Sequence, residues 1–169
     1  GKEWNLTVAD RRIAHVVRQC QELPGQTLFR YMSEGGVARD VASSDVNDYL
    51  RELTGFDFTA KTFRTWAGTV LAARALAVQP PGESKTARRR AVVAAIREVA
   101  ARLGNTVAAC RASYIHPAIF DAYETGALHR AFRRAPDAVD EWTEDEKIVL
   151  KLLKTKVACH SRRAERDRE

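Results

Sequence analysis

Cysteine is scarce in this chain: three among 169 residues, at Cys20, Cys110 and Cys159. An odd count at such wide spacing excludes a disulfide framework and a zinc site, and it fits a reducing compartment. No apolar run approaches the roughly 18 residues that a membrane span requires, and there is no secretory leader pattern. A cytoplasmic location is therefore expected, with no membrane partner. Internal repeats are missing too. Acidic residues are outnumbered, 22 Asp and Glu against 28 Lys and Arg, for a net charge of +6. That imbalance favours a polyanionic partner such as nucleic acid; the plainer alternative is a well-solvated surface. Methionine is absent from the first position. The chain opens Gly1-Lys2, which reads as a processed or excised piece.

Apolar residues make up 45% of the sequence and are spread along it, enough for a sizeable core, while 30% charge is high without being a mark of disorder. The pattern is mainly α, α+β overall, with a short N-terminal β segment. Trp4, Leu6 and Val8 alternate and predict a short strand over residues 2–8. Ile13, Val16, Val17 and Cys20 share a helical face. Pro24-Gly25 marks a turn, and Thr27 to Val41 reads as a short helical turn followed by a tight loop at Gly35-Gly36. Ser43 or Ser44 caps a helix carrying Val46, Tyr49, Leu50 and Leu53 that Gly55 closes. Thr59 caps a longer helix through Phe63, Trp66, Val70, Leu71 and Leu76, stopped by Pro80-Pro81. Ser84 opens a strong helix with Val92, Val93, Ile96, Val99 and Leu103 as its stripe and Gly104 at its stop. Thr106 to Tyr114 reads as a shorter helix or a turn, Pro117 opens another helix through Ile119, Phe120 and Tyr123, and Thr143-Glu144-Asp145-Glu146 is a capping box. One domain over residues 1–160 is expected, followed by a charged, frayed tail over 161–169.

Several side chains are candidates for chemistry. Tyr114 lies where a helical pattern breaks down, with Arg111 three residues before it and Asn105 at a helix junction. A free phenol has a pKa of about 10, so as a nucleophile it needs cations and donors around its target. A tyrosine that merely packs its ring and keeps its hydroxyl wet is the plainer reading. Arg64 is either a surface arginine or a planar fork matched to two phosphate oxygens. Lys61 and Thr65 are placed to reach neighbouring phosphates. Lys85, Arg88, Arg89 and Arg90 start a helix with charge that opposes its macrodipole, which suits an external anion as well as a solvated face. His116 suits a turn or cap before Pro117, and Phe63 and Trp66 suit the core.

Read in order, Thr59-Ala60-Lys61 with Arg64-Thr65-Trp66, then Leu103-Gly104-Asn105-Thr106, then Ser113-Tyr114-Ile115-His116-Pro117 resemble the bacterial branch of the type IB DNA topoisomerases, relatives of the poxvirus enzyme. Asp10-Arg11-Arg12, Leu23-Pro24-Gly25-Gln26 and Asp45-Val46-Asn47 agree, so the resemblance runs from Gly1 to about Leu153. It implies a helical DNA breaking-rejoining catalytic domain that acts on duplex DNA as a monomer. It further implies a 3′-phosphotyrosyl intermediate, swivelling and religation, with no cofactor and no metal. By position Tyr114 is the nucleophile, Arg64 the second catalytic arginine, and Asn105 stands where other branches carry histidine. An asparagine amide can donate to a phosphate oxygen but adds no positive charge there. Arg88, Arg89 and Arg111, with Lys61 and Thr65, are the implied DNA contacts. The family's first arginine falls upstream of Gly1. Gly1-Lys2 matches the second Gly-Lys of the bacterial turn, which puts the general acid one turn before the chain starts and leaves Lys2 as the substitute. Two rivals remain: a tyrosine recombinase-like strand transferase, although no His-x-x-Arg precedes Tyr114, and a non-catalytic helical DNA-binding module.

Overall fold

A computed structural model describes residue 7 and residues 9–79, 84–133 and 143–166, the stretch 156–166 by its backbone alone. The strand expected over residues 2–8, and with it Lys2, lies outside the described residues. The chain divides into two compact units, Gly1–Ala60 and Lys61–Glu169.

The first unit holds α1 (Arg11–Gln21), β1 (Arg30–Met32), β2 (Ala38–Asp40) and α2 (Ser43–Thr54). The Asp10 carboxylate starts α1 by accepting from the Arg12 and Ile13 N–H groups at 2.8 and 3.2 Å. Thr27–Val41 is no helical turn. It contains an antiparallel hairpin in register Arg30 with Asp40, Tyr31 with Arg39, and Met32 with Ala38. The reason is cross-strand. Arg30 Nε donates to Asp40 Oδ1 at 2.6 Å, and Gly36 turns the chain with φ +71. The start of α2 also differs from expectation. Ala42 is its N-cap, and Asp45 rather than a serine secures the turn by accepting the Ala42 N–H at 2.8 Å. None of this unit's described residues is buried, and Ile13 and Val16 on the apolar face of α1 stay half exposed.

The core belongs to the second unit. It is built from α3 (Ala60–Ala77), α4 (Lys85–Leu103), α5 (Val107–Ser113), α6 (Ala118–Glu124), α7 (Ala127–Arg133) and α8 (Glu144–Arg166). Local chemistry sets the boundaries. Ser84 Oγ accepts from Ala87 N at 3.1 Å to open α4, and Thr106 Oγ1 accepts from Ala109 N at 3.2 Å to open α5. Gly104 ends α4 at φ +68, a conformation that favours glycine, and its N–H returns to the Ala100 and Ala101 carbonyls. Pro117 precedes α6, and His116 Nδ1 accepts the Ala118 N–H at 3.2 Å, the capping role expected of that histidine. Ahead of α8, Thr143 and Glu146 bond reciprocally: the Thr143 N–H reaches Glu146 Oε2 at 3.0 Å and the Glu146 N–H reaches Thr143 Oγ1 at 3.4 Å.

Ala72, Ala73 and Leu76 of α3 pack with Val92, Ala95, Ile96 and Val99 of α4, and Ile119, Leu128 and Val149 complete the centre. Each large aliphatic side chain buried there contributes roughly 1.5–3 kcal/mol. Val93 is only half buried, and Phe63 is not a core residue at all, being 51% exposed. Cys110 is fully buried in this cluster, and burial pushes its thiol above the usual cysteine value, so it behaves as a small hydrophobe.

Trp66 is half buried against the core and its indole N–H donates to Glu146 Oε1 at 3.1 Å. That bond, with the Thr143 hydroxyl and N–H, holds the Glu146 carboxyl below its usual value near 4.5. A carboxylate lowered on folding stabilises above its unfolded value, and the stabilisation is lost as pH falls through the folded value. Thermal unfolding of the intact chain should therefore lose stability below about pH 4.5. Trp66→Phe should flatten that slope and remove on the order of 1 kcal/mol at neutral pH, less than a fully buried charged hydrogen bond because Glu146 is partly in water. An unchanged acid slope in Trp66→Phe would show that Glu146 carries none of it. Among the described residues no helix is long and apolar enough to cross a membrane.

Candidate active site

The inward face of α3 changes character along its length. Ala72, Ala73 and Leu76 face the core; one turn earlier come Gly68 and Thr69, both buried; one turn earlier again come Arg64 and Thr65. This face meets two breaks in the chain. One is the Leu103-Gly104-Asn105 junction between α4 and α5. The other is Tyr114, which leaves α5 at φ −122 and ψ 3 while its N–H still reaches the Cys110 carbonyl at 3.0 Å.

Leu103 closes α4, so its carbonyl lacks a helical partner and carries part of the negative end of the macrodipole. Arg64 Nη2 donates to that oxygen at 2.7 Å, and Asn105 Nδ2 approaches the same oxygen at 3.4 Å. The Arg64 guanidinium carbon also stands 5.2 Å from the centre of the Tyr114 ring. One carbonyl thus gathers the arginine and the asparagine, and the arginine spans from it to the tyrosine. No other bond is made by Arg64 among the described residues, so most of its fork is left facing outward. Tyr114 is half buried, with its ring packed on the core.

The arrangement suits an anion that a phenol attacks. The cation lies over the aromatic ring rather than in an ion pair with a carboxylate, a contact worth about 0.5–1 kcal/mol where exposed. The guanidinium and the Asn105 amide supply donors of the kind that bind phosphate oxygens. Among the described residues no three His, Cys, Asp or Glu side chains gather as a metal site.

The remaining candidates are scattered around this centre. Lys61 is exposed one turn before Arg64. The Thr65 hydroxyl turns toward protein, within bonding distance of the Lys61 carbonyl at 2.9 Å and the Ser113 carbonyl at 3.2 Å. Arg111 lies with its guanidinium 5.7 Å from the Phe120 ring centre rather than over Tyr114. Arg88 donates through Nε to Glu124 Oε2 at 3.0 Å, so its charge is already compensated, whereas Arg89 lines an exposed shallow groove on α4 with Arg90 and Arg97. Lys2 is outside the described residues. Two contributors had no role in the sequence reading: the Leu103 carbonyl and the Gly68-Thr69 pair. The available signal was the spacing of Thr65, Gly68 and Thr69, which puts small residues on one helical face beside Arg64.

Known proteins bear on this geometry. Residues 2–135 match the family described as eukaryotic DNA topoisomerase I, catalytic core. The chain is 25% identical over 163 residues to the DNA topoisomerase 1B of Acanthamoeba polyphaga mimivirus, an alignment that covers 92% of this chain and 46% of that protein. The chain thus spans about half the length of the curated relative it matches. A family match that runs through α3, the Leu103–Asn105 junction and the Tyr114 turn is decisive for kinship: the chain belongs to the DNA topoisomerase I catalytic-core family, the type IB topoisomerases.

Proposed function

We propose that this chain supplies the strand-breaking centre of a type IB topoisomerase, with residues 1–160 as the catalytic region and 161–169 as a charged tail. The Tyr114 phenol oxygen gives up its proton to solvent and attacks a DNA phosphorus, the bond to the 5′-oxygen breaks, and a 3′-phosphotyrosyl ester forms. The free strand swivels, and the 5′-hydroxyl then attacks the ester to restore the phosphodiester. The ester keeps the bond's energy, so the cycle needs neither ATP nor metal. Arg64 stabilises the negative charge that grows on the non-bridging oxygens, and Asn105 adds a neutral donor. The proton for the departing 5′-oxygen comes from a general acid, for which Lys2 is this chain's candidate.

The supporting observation is the convergence of Arg64 on both the Leu103 carbonyl and the Tyr114 ring. The test is trapping on a nicked suicide duplex whose 5′ strand diffuses away after cleavage. A bridging sulfur at the 5′ position leaves as thiolate and makes the result independent of the general acid. A covalent protein–DNA species is expected, and its absence from the intact, folded chain overturns the reading.

Binding to duplex DNA should be driven by phosphate contacts. Affinity is then expected to fall steeply with salt, by roughly 0.9 log units per log unit of salt for each phosphate neutralised. Lys61→Ala should weaken binding to every sequence alike and lower that slope by about one unit. A slope unchanged by the substitution removes Lys61 from the interface.

A further inference from the structure

The turn that carries Tyr114 meets α3 at three points, Ser113, Tyr114 and His116. Thr65 Oγ1 lies 3.2 Å from the Ser113 carbonyl. The His116 N–H donates to Thr69 Oγ1 at 3.0 Å, and that hydroxyl in turn donates to the Thr65 carbonyl at 2.6 Å. Between them, Gly68 sits directly against the Tyr114 carbonyl. A Cβ on Gly68 would collide with that oxygen and stand 3.1 Å from Leu103 Cδ1. Residues 65, 68 and 69 are neighbours on one helical face, and residues 113, 114 and 116 are neighbours in the turn.

Neither threonine hydroxyl is free for other duties. Thr69 is 2% exposed and both donates and accepts within the protein. Thr65 has one proton and two carbonyls competing for it. Thr69 sits too deep to meet a polyanion and Thr65 is half-buried, and together they hold the backbone on both sides of the tyrosine. Past the Tyr114 N–H, which bonds back to the Cys110 carbonyl, the turn runs outside both helices, since α5 ends at Ser113 and α6 begins at Ala118.

We infer that Thr65, Gly68 and Thr69 are positioning residues that hold the Tyr114 phenol in line for attack. This rests on the strand-breaking reading above. Arg64 belongs to the same helix, so one rigid element sets both the phosphate's clamp and the nucleophile's turn. Their relative placement is thereby fixed before DNA arrives, which is where a displacement of about 1 Å costs on the order of 10²-fold in rate.

The test is single-turnover adduct formation by the intact chain on the bridging-sulfur duplex, with duplex affinity measured in parallel. Thr69→Val keeps the shape and removes the hydroxyl. Its rate is expected to fall by on the order of 10²-fold at unchanged duplex affinity and an intact thermal transition, and Thr69→Ser should recover most of it. Amide exchange should show His116 losing protection in Thr69→Val alone. Gly68→Ala should give the same kinetic signature or fail to fold, and the threonine series decides in either case. A wild-type rate in Thr69→Val overturns the positioning role and leaves the strand-breaking reading intact. A loss shared equally by affinity and by thermal stability also overturns it, because general loosening weakens both. If the unsubstituted chain forms no adduct dependent on Tyr114, the strand-breaking reading falls and takes the positioning role with it.

Discussion

Tyr114→Phe is expected to abolish the covalent DNA adduct while leaving the fold and the DNA affinity as they are. The substitution removes one oxygen. That oxygen makes no hydrogen bond among the described residues, and it is not a buried group left without a partner. The ring, which packs on the core and carries the Arg64 guanidinium on its face, is kept. Stability should therefore change by less than about 0.5 kcal/mol, as for substitutions that break no buried contact. Chemistry should be lost, because the groups beside Tyr114 are less suited to attack: His116 is engaged through Nδ1 with the Ala118 N–H, Cys110 is buried with its thiol pushed up, and Ser113 offers only an alkyl hydroxyl, a far weaker acid than a phenol. The measurement is adduct yield on the bridging-sulfur duplex, which needs no general acid and so isolates the nucleophile. An adduct that persists in Tyr114→Phe at even a tenth of the original yield would assign the attack to another residue. A duplex affinity that falls with it would make Tyr114 a binding residue rather than a nucleophile.

What was legible beforehand follows from the range of the interactions involved. Helix limits were readable because their causes are local. Ser84, Gly104, Thr106 and the Thr143–Glu146 box act within three or four residues of themselves, and all four stand where the sequence places them. The hairpin at Arg30–Asp40 was not readable in the same way. Its strands are three residues each, too short for alternation to register, and the ion pair that selects it joins residues ten apart. Phe63 was expected inside because phenylalanine usually is, but α3 turns its small residues to the core and leaves Phe63 on the outer side. The candidate site was legible as a set of residues and not as a geometry. Arg64, Asn105 and Tyr114 stand out by their motifs. The oxygen that gathers the first two belongs to the backbone of Leu103, which no side-chain pattern announces. The Gly68 contact with the Tyr114 carbonyl is equally silent, since a glycine in mid-helix looks like a weak position until the chain it faces is known.

Arg64→Lys should be nearly as damaging as Arg64→Ala, and the comparison separates charge from shape. If Arg64 stabilises the transition state as proposed, Arg64→Ala should slow adduct formation by about 10²–10³-fold, the usual loss for one donor aimed at developing negative charge. Lysine restores the charge but not the fork. Arg64 uses one N–H on the Leu103 carbonyl and keeps the rest of a planar donor set for the phosphate, with its guanidinium carbon 5.2 Å from the Tyr114 ring centre. An ammonium is a single point. Drawn to the partly negative Leu103 oxygen, it cannot also present two parallel donors to a phosphate, and it stacks poorly. Most of the alanine variant's loss is therefore expected to remain in the lysine variant. Duplex affinity should fall much less in either, because one phosphate contact among several is lost and lysine replaces even that. A lysine variant within a few-fold of the unsubstituted rate would mean that Arg64 acts as bulk positive charge, and the Leu103–Arg64–Tyr114 arrangement would then have no part in the chemistry. A large loss in alanine and lysine alike, at near-constant affinity, ties the rate to the shape of the guanidinium and to the helix end that aims it.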